Sequence, residues 1–173
     1  MDLAELAERV ADIIGAVSKE KPPPFRFPPT ETEKTTKNEE PIFFISHDHS
    51  DGDFAELLKL RLEKKGYGAW VDLERLRVGE DWRQEIDNAI RNATALVVIM
   101  SPEARQSEYV TYEWAFAWGV GVPVIPILLK ETPLHPRLES LQYLDFTNRA
   151  ARPWDKLIDA LKKAISKKKG LDD

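Results

Sequence analysis

Between residues 41 and 167, short apolar runs alternate with segments whose apolar residues recur every three or four positions. Short apolar runs bounded by turn residues are typical of buried strands, and the longer spacing is typical of amphipathic helices. This alternation predicts a mostly parallel sheet with helices on both faces. The predicted strands are residues 42–46, 67–72, 95–101, 122–129 and 141–146. The predicted helices are residues 53–66, 80–93, 107–119 and 153–166.

Pro126 interrupts the fourth apolar run. Proline has no N–H group to donate to a strand ladder, so it is found at sheet edges and bulges. We therefore expect an edge or a bulge at this position.

The first 40 residues follow a different pattern. Apolar residues spaced alternately three and four apart form a heptad seam, which predicts an amphipathic helix over residues 1–20. The seam residues are Leu3, Leu6, Val10, Ile13 and Val17. A helix of this length has only marginal stability alone in water. We therefore expect it to dock on the rest of the chain, on another copy or on a partner. Residues 21–40 hold five prolines and predict an extended linker to the domain of residues 41–167, and residues 168–173 form a charged tail.

The composition excludes several function classes. A net charge of -5 argues against nucleic-acid binding, which needs clustered basic residues. The chain has no cysteine, so disulfides and thiolate metal sites are excluded. The acidic N-terminus lacks the features of a signal peptide, and the longest apolar run, residues 119–129, is shorter than the roughly 18 residues of a membrane span. We predict a cytoplasmic protein that binds neither nucleic acid nor membrane.

The loop after the first strand contains His47, His49 and Asp51 at alternate positions. This spacing is similar to the opening of the zinc motif of the metallo-β-lactamase superfamily. A dinuclear site needs further histidines downstream, and only His135 remains. The alternative is a polar strand-to-helix loop in which Ser50 or Asp51 caps the helix. We therefore predict no metal site.

Five segments, in this order and spacing, together resemble the Toll/interleukin-1 receptor (TIR) domain family, of the kind common in prokaryotic immunity proteins. They are FFISHDHSD, GYGAWVDLERLRVGEDWRQEIDNAI, ALVVIMSP, SEYVTYEWAFA and VPVIPILL, within residues 43–129. The resemblance implies a flavodoxin-like five-stranded parallel sheet of order 2-1-3-4-5. In such a sheet ligands bind outside the carboxyl ends of the strands where the winding direction reverses, here between strands 1 and 3. We expect the loops of residues 47–53 and 101–113 to face each other there.

In TIR domains that cleave NAD, the resemblance implies a catalytic glutamate in the pattern Ser-x-Trp-Cys-x-x-Glu. Residues 107–113 read SEYVTYE, so Ser107 and Glu113 match while tyrosine and valine replace tryptophan and cysteine. On a helix, Tyr109 and Phe116 share a face with Glu113, and apolar neighbours desolvate a carboxylate. Such an anion can stabilise the oxocarbenium-like state of nicotinamide–ribose cleavage. The alternative is an ordinary solvated helix glutamate.

The resemblance also implies a substrate pocket around this glutamate. Tyr109 is expected to stack on the substrate. Ser46, at the end of strand 1, and His47 and Asp48, which follow it, are expected to shape the pocket. The segment after strand 2 corresponds to the BB loop, which covers the cleft and mediates contact between TIR domains.

Three residues of this loop are candidates for the pocket. Asp72 either caps the loop or lines the cleft. Arg77 contacts a phosphate, a neighbouring subunit or solvent, and Gly79 permits the turn.

The sequence therefore predicts a TIR-domain NAD glycohydrolase or ADP-ribosyl cyclase, with NAD as substrate and no cofactor. Self-association through TIR–TIR contacts, an upstream sensor or partner protein, and a role in immune or antiphage defence complete this hypothesis. The alternative is a non-catalytic TIR adaptor or scaffold that signals by assembly.

Overall fold

The computed structural model describes residues 40–71 and 82–171. Within these ranges, five strands form one sheet of order β2-β1-β3-β4-β5, in which all neighbours are parallel. They are β1 (Ile42–Ser46), β2 (Gly68–Val71), β3 (Ala95–Met100), β4 (Val124–Leu128) and β5 (Leu144–Asp145). The flavodoxin-like fold class is thus confirmed. The predicted N-terminal helix and residues 21–39 of the predicted linker lie outside the described residues.

Helices connect these strands. They are α1 (Gly52–Lys64), α2 (Trp82–Asn92), α3 (Pro102–Gln106), α4 (Glu108–Gly119), α5 (Pro136–Glu139) and α6 (Trp154–Leu171), and a 3-10 turn (His49–Asp51) precedes α1. The four longest match the predicted helices, although α6 continues past residue 166 into the segment predicted as a charged tail. The short helices α3 and α5 were not predicted because four or five residues are too few for a periodic pattern.

The core lies in two apolar layers, one on each face of the sheet. Successive side chains of a strand point to opposite faces, so β1 contributes to both layers. Phe43 and Ile45 pack with apolar residues of α1 and α6. Phe44 packs with apolar residues of α2 and α4 on the other face. By the same alternation Ser46, the last residue of β1, points towards the layer of α2 and α4.

Pro126 lies inside β4, opposite Val98 of β3. The strand is not at the edge of the sheet, but β5 pairs only with Ile127 and Leu128. Pairing with β5 thus begins after the proline, which has a strand partner on one side only. The predicted edge or bulge is therefore not found, and the proline is tolerated because its missing N–H falls where the ladder to β5 has not begun.

Candidate active site at the carboxyl ends of the strands

Ser46 and Glu113 meet where α4 packs against the carboxyl end of β1. The Ser46 hydroxyl donates a hydrogen bond to Glu113 Oε1, with 3.1 Å between the oxygens. Both residues are buried, with 1% of Ser46 and 5% of Glu113 exposed. Charges interact more strongly in such a water-poor environment than in bulk solvent, so this carboxylate is well placed to act on a developing positive charge.

The position of Glu113 follows from the start of α4 and its apolar face. Ser107 caps this helix, because its Oγ accepts a hydrogen bond from the Val110 N–H at 3.3 Å. Val110, Trp114 and Ala117 are buried and lie three before, one after and four after Glu113, so the glutamate belongs to the side of α4 that faces the sheet. This burial excludes the alternative of a solvated helix glutamate.

Aromatic residues on α4 lie near Glu113 in sequence but differ in surroundings. Tyr109, one turn earlier, is 54% exposed. Tyr112 donates a hydrogen bond to Asp87 Oδ1 of α2 at 2.6 Å, which raises the pKa of the tyrosine. Phe116 stacks on Tyr112 with 5.9 Å between ring centroids. Tyr112 therefore ties α4 to α2, while about half of Tyr109 is exposed.

The residues after Ser46 form a short capped turn. Asp48 is half-buried and accepts hydrogen bonds from the Ser50 hydroxyl at 2.7 Å and the Ser50 N–H at 2.9 Å. The hydroxyl contact is the main cause that lowers the pKa of Asp48. His47 lies half-buried between this turn and Ser46. Asp48 thus caps the 3-10 turn, and this role satisfies one oxygen of its carboxylate.

Asp51 stands at the start of α1, but its side chain makes no capping hydrogen bond to that helix. Capping of α1 by Ser50 or Asp51 is therefore wrong: the Ser50 side chain bonds to Asp48, and the Asp51 carboxylate lies in the interior. It accepts hydrogen bonds from the Ser101 hydroxyl and, at 2.7 Å, from Lys130 Nζ. This carboxylate is the main cause that raises the pKa of Lys130. Sequence reasoning missed this cluster, since no local pattern pairs residues so far apart.

Three of the predicted pocket residues come from the segment after β2. Asp72, Arg77 and Gly79 lie in residues 72–81, outside the described residues.

The part of the chain that the structure describes holds no group of three His, Asp or Glu side chains that could bind a metal ion. His135 caps α5, because its Nδ1 accepts from the Arg137 N–H at 3.2 Å. Its ring also lies 5.1 Å from that of Trp114. Within residues 40–71 and 82–171, no helix combines the length and apolar character needed to cross a membrane.

The strand order and the buried acid at the carboxyl ends of the strands define an α/β domain whose candidate site lies at the switch point of the sheet. The sequence profile of the TIR domain family matches residues 43–162. The chain therefore belongs to the TIR domain family, as the sequence resemblance indicated.

Curated relatives match part of the chain. The chain is 35% identical over 71 residues to the 2' cyclic ADP-D-ribose synthase AbTIR of Acinetobacter baumannii, covering 40% of this chain and 26% of the relative. It is 36% identical over 72 residues to the NAD(+) hydrolase TcpC of Escherichia coli, covering 41% of this chain and 24% of the relative. The aligned part thus spans about a quarter of the length of these relatives.

Among solved structures, the TIR domain of the Toll-related receptor TRR-2 from Hydra magnipapillata is similar in fold. The TM-score is 0.61 at 24% identity, and the match covers 69% of this chain and 97% of that domain. This likeness concerns the fold alone.

Proposed function

We propose that this protein cleaves the nicotinamide–ribose bond of NAD and that Glu113 is its catalytic carboxylate. The observation that carries the proposal is the buried Ser46–Glu113 hydrogen bond at the carboxyl ends of the strands of a TIR domain. The names of two partial relatives, an NAD(+) hydrolase and a cyclic ADP-ribose synthase, support it.

The chemistry required of Glu113 is electrostatic. When the C1'–N bond breaks, its electron pair leaves with neutral nicotinamide, and positive charge develops on the ribose. A fixed carboxylate beside the ribose stabilises this charge and can accept hydrogen bonds from the ribose hydroxyls. Ser46 holds Oε1, which restricts rotation of the carboxylate. The ribose cation is then attacked by water, giving ADP-ribose, or by a nucleophile of the same molecule, giving a cyclic product. In either case the attacking group releases a proton.

Other residues complete the proposed pocket. The exposed ring of Tyr109 stacks on a flat ring of the substrate. His47 and Asp48 border the site after Ser46. The sequence assigns Asp72, Arg77 and Gly79 to the same pocket, and these three residues lie outside the described part of the chain.

We further propose that the active form is a self-association of TIR domains through residues 72–81, controlled by an upstream sensor or partner in cytoplasmic immune or antiphage defence. The predicted helix of residues 1–20 would gather copies. The linker of residues 21–40 would raise the effective concentration of the domains to about the millimolar range.

The test is NAD turnover measured by chromatography at high protein concentration with a crowding agent. Wild type is compared with Glu113→Gln and with Glu108→Gln. The second variant is a matched control, because Glu108 is an exposed glutamate in the first turn of the same helix. We expect nicotinamide release by wild type and Glu108→Gln, and a loss of about 100-fold or more in Glu113→Gln, as for removal of other stabilising groups.

Equal release by wild type and Glu113→Gln would contradict the role of Glu113. No release by any variant, with assembly confirmed by light scattering in the same sample, would instead favour a non-catalytic adaptor or scaffold.

A further inference from the structure

The loops after three adjacent strands meet on one buried carboxylate. Asp51 follows β1, Ser101 follows β3 and Lys130 follows β4. The Asp51 side chain is 0% exposed, whereas that of Lys130 is 49% exposed. A buried carboxylate is costly unless its oxygens receive hydrogen bonds, and here each oxygen has its own donor.

The hydrogen-bond directions in this cluster are fixed by the donors available. Ser101 Oγ accepts a hydrogen bond from the Ala104 N–H at 3.1 Å, as the cap of α3. The Ser101 hydroxyl donates its single hydrogen to Asp51 Oδ2. Lys130 can only donate, so Asp51 Oδ1 must also accept. Asp51 thus accepts a hydrogen bond at each of its two oxygens.

This cluster lies on a short route between Ser46 and Glu113. Asp51 is five residues after Ser46, and the intervening turn is held by the Asp48 cap. From Ser101 the chain enters α3, and Ser107 both ends α3 and caps α4, which carries Glu113. The contact between Asp51 and Ser101 thus joins the segment that carries the hydroxyl to the segment that carries the carboxylate.

We propose that Asp51 is a positioning residue, which holds the segment from Ser101 to α4 against the end of β1 and keeps Glu113 within hydrogen-bond reach of Ser46. It acts through these residues and not on the substrate, because its side chain is fully buried and occupied by Ser101 and Lys130. The kinetic part of this proposal rests on the proposed NAD cleavage.

The Asp51–Lys130 ion pair can hold the loops in place without adding to the net stability of the fold. Removing one partner of a buried ion pair destabilises a protein, although the intact pair contributes little net stability compared with an apolar replacement. What the pair supplies is one defined arrangement of the three loops. Catalytic rates fall steeply when a reacting group is displaced by even about 1 Å.

The experiment uses the full chain and compares Asp51→Asn with Asp155→Asn. Asp155 is an exposed aspartate in the first turn of α6, so the control has the same chemical change at another helix start. An asparagine at position 51 turns an N–H group towards Ser101 or Lys130 and cannot accept from both. For each variant, kcat and KM for NAD are measured per folded molecule, and hydrogen exchange is followed for the amides of residues 108–113.

We expect Asp51→Asn to lower kcat about 10- to 100-fold with KM changed by less than about twofold, because the change affects geometry and not uniform binding. The exchange of residues 108–113 is expected to become faster, and Asp155→Asn to match wild type in both measurements. A wild-type kcat or unchanged exchange in Asp51→Asn would overturn the proposal. If the wild type releases no nicotinamide, NAD cleavage fails, and the exchange measurement alone decides the positioning role.

If Asp51→Asn does not fold, a second pair of variants tests whether the Asp51 cluster positions α4. Lys130→Met removes the charged partner at a half-exposed position, while Lys130→Arg keeps a cation there. Faster exchange of residues 108–113 in Lys130→Met, restored in Lys130→Arg, is the expected result. Exchange at the wild-type rate in Lys130→Met would overturn the proposal.

Discussion

The Ser46 hydroxyl donates a hydrogen bond to the Glu113 carboxylate across 67 residues of sequence, with 3.1 Å between the oxygens. Both groups are buried, so the bond forms in a region where water competes weakly. It exists because Ser46 ends β1 on the face that α4 covers, and Glu113 occupies the covered side of α4. The bond makes Ser46 the first residue to test for an effect on Glu113.

Replacing Ser46 with alanine removes the donor to Glu113 and leaves the carboxylate in place. A hydrogen bond to a charged group contributes about 1.5 to 3 kcal/mol, so we expect kcat for nicotinamide release to fall at least about tenfold. Steady-state kinetics on NAD would measure this. Ser140→Ala is the matched control, since the Ser140 hydroxyl bonds to the Arg137 carbonyl at an exposed position. A Ser46→Ala variant with the wild-type kcat would remove Ser46 from the proposed mechanism.

Replacing Tyr112 with phenylalanine keeps the ring but removes the hydroxyl that donates to Asp87. The bond is exposed, so we expect a loss of about 0.5 kcal/mol in the free energy of unfolding at pH 8. This hydrogen bond raises the pKa of Tyr112 above its ordinary value of 10.0, because it needs the protonated phenol. Its contribution is therefore complete below pH 10 and is lost as the pH rises through the pKa in the folded state.

Urea unfolding of wild type and Tyr112→Phe at a series of pH values from 8 to about 11 measures this difference. The two proteins should converge at the alkaline end. Tyr143→Phe, at another exposed tyrosine, serves as the control. A difference that stays constant through the alkaline range would show that the hydroxyl does not act through this bond.

Gly52, the first residue of α1, and Gly66, just after this helix, should respond in opposite directions to alanine. Gly66 has a φ of 81°, so a side chain there is strained, and we expect a destabilisation of about 1 to 2 kcal/mol. Gly52 has a φ of -57° and open space where a Cβ atom would lie, so alanine should stabilise the helix by about 0.5 to 1 kcal/mol. Thermal or urea unfolding of both variants measures these changes. Each is the control for the other, and a shift of the same sign in both would contradict the assigned backbone conformations.

The long elements could be predicted from sequence because their signal is local. The Phe43–Ile45 core of β1 and the apolar faces of α1 and α4 repeat at strand and helix spacing, and these segments appear where the pattern predicted them. The short helix α3 carries no such repeat. Its start could have been found only from Ser101 followed by Pro102, since a capping serine before a proline favours a helix start.

The sequence by itself determined the alternation of strands and helices and the absence of cysteine chemistry, because these depend on residue type and on spacing within one segment. It also gave Glu113 as a candidate, through the resemblance of residues 107–113 to the pattern of the TIR family. The tertiary structure alone decided that Glu113 is buried and bound to Ser46, and that Asp51 joins Ser101 and Lys130 instead of capping α1. Such contacts join segments 50 to 79 residues apart. They depend on which strands become neighbours and which helix covers them, and no local spacing encodes that order.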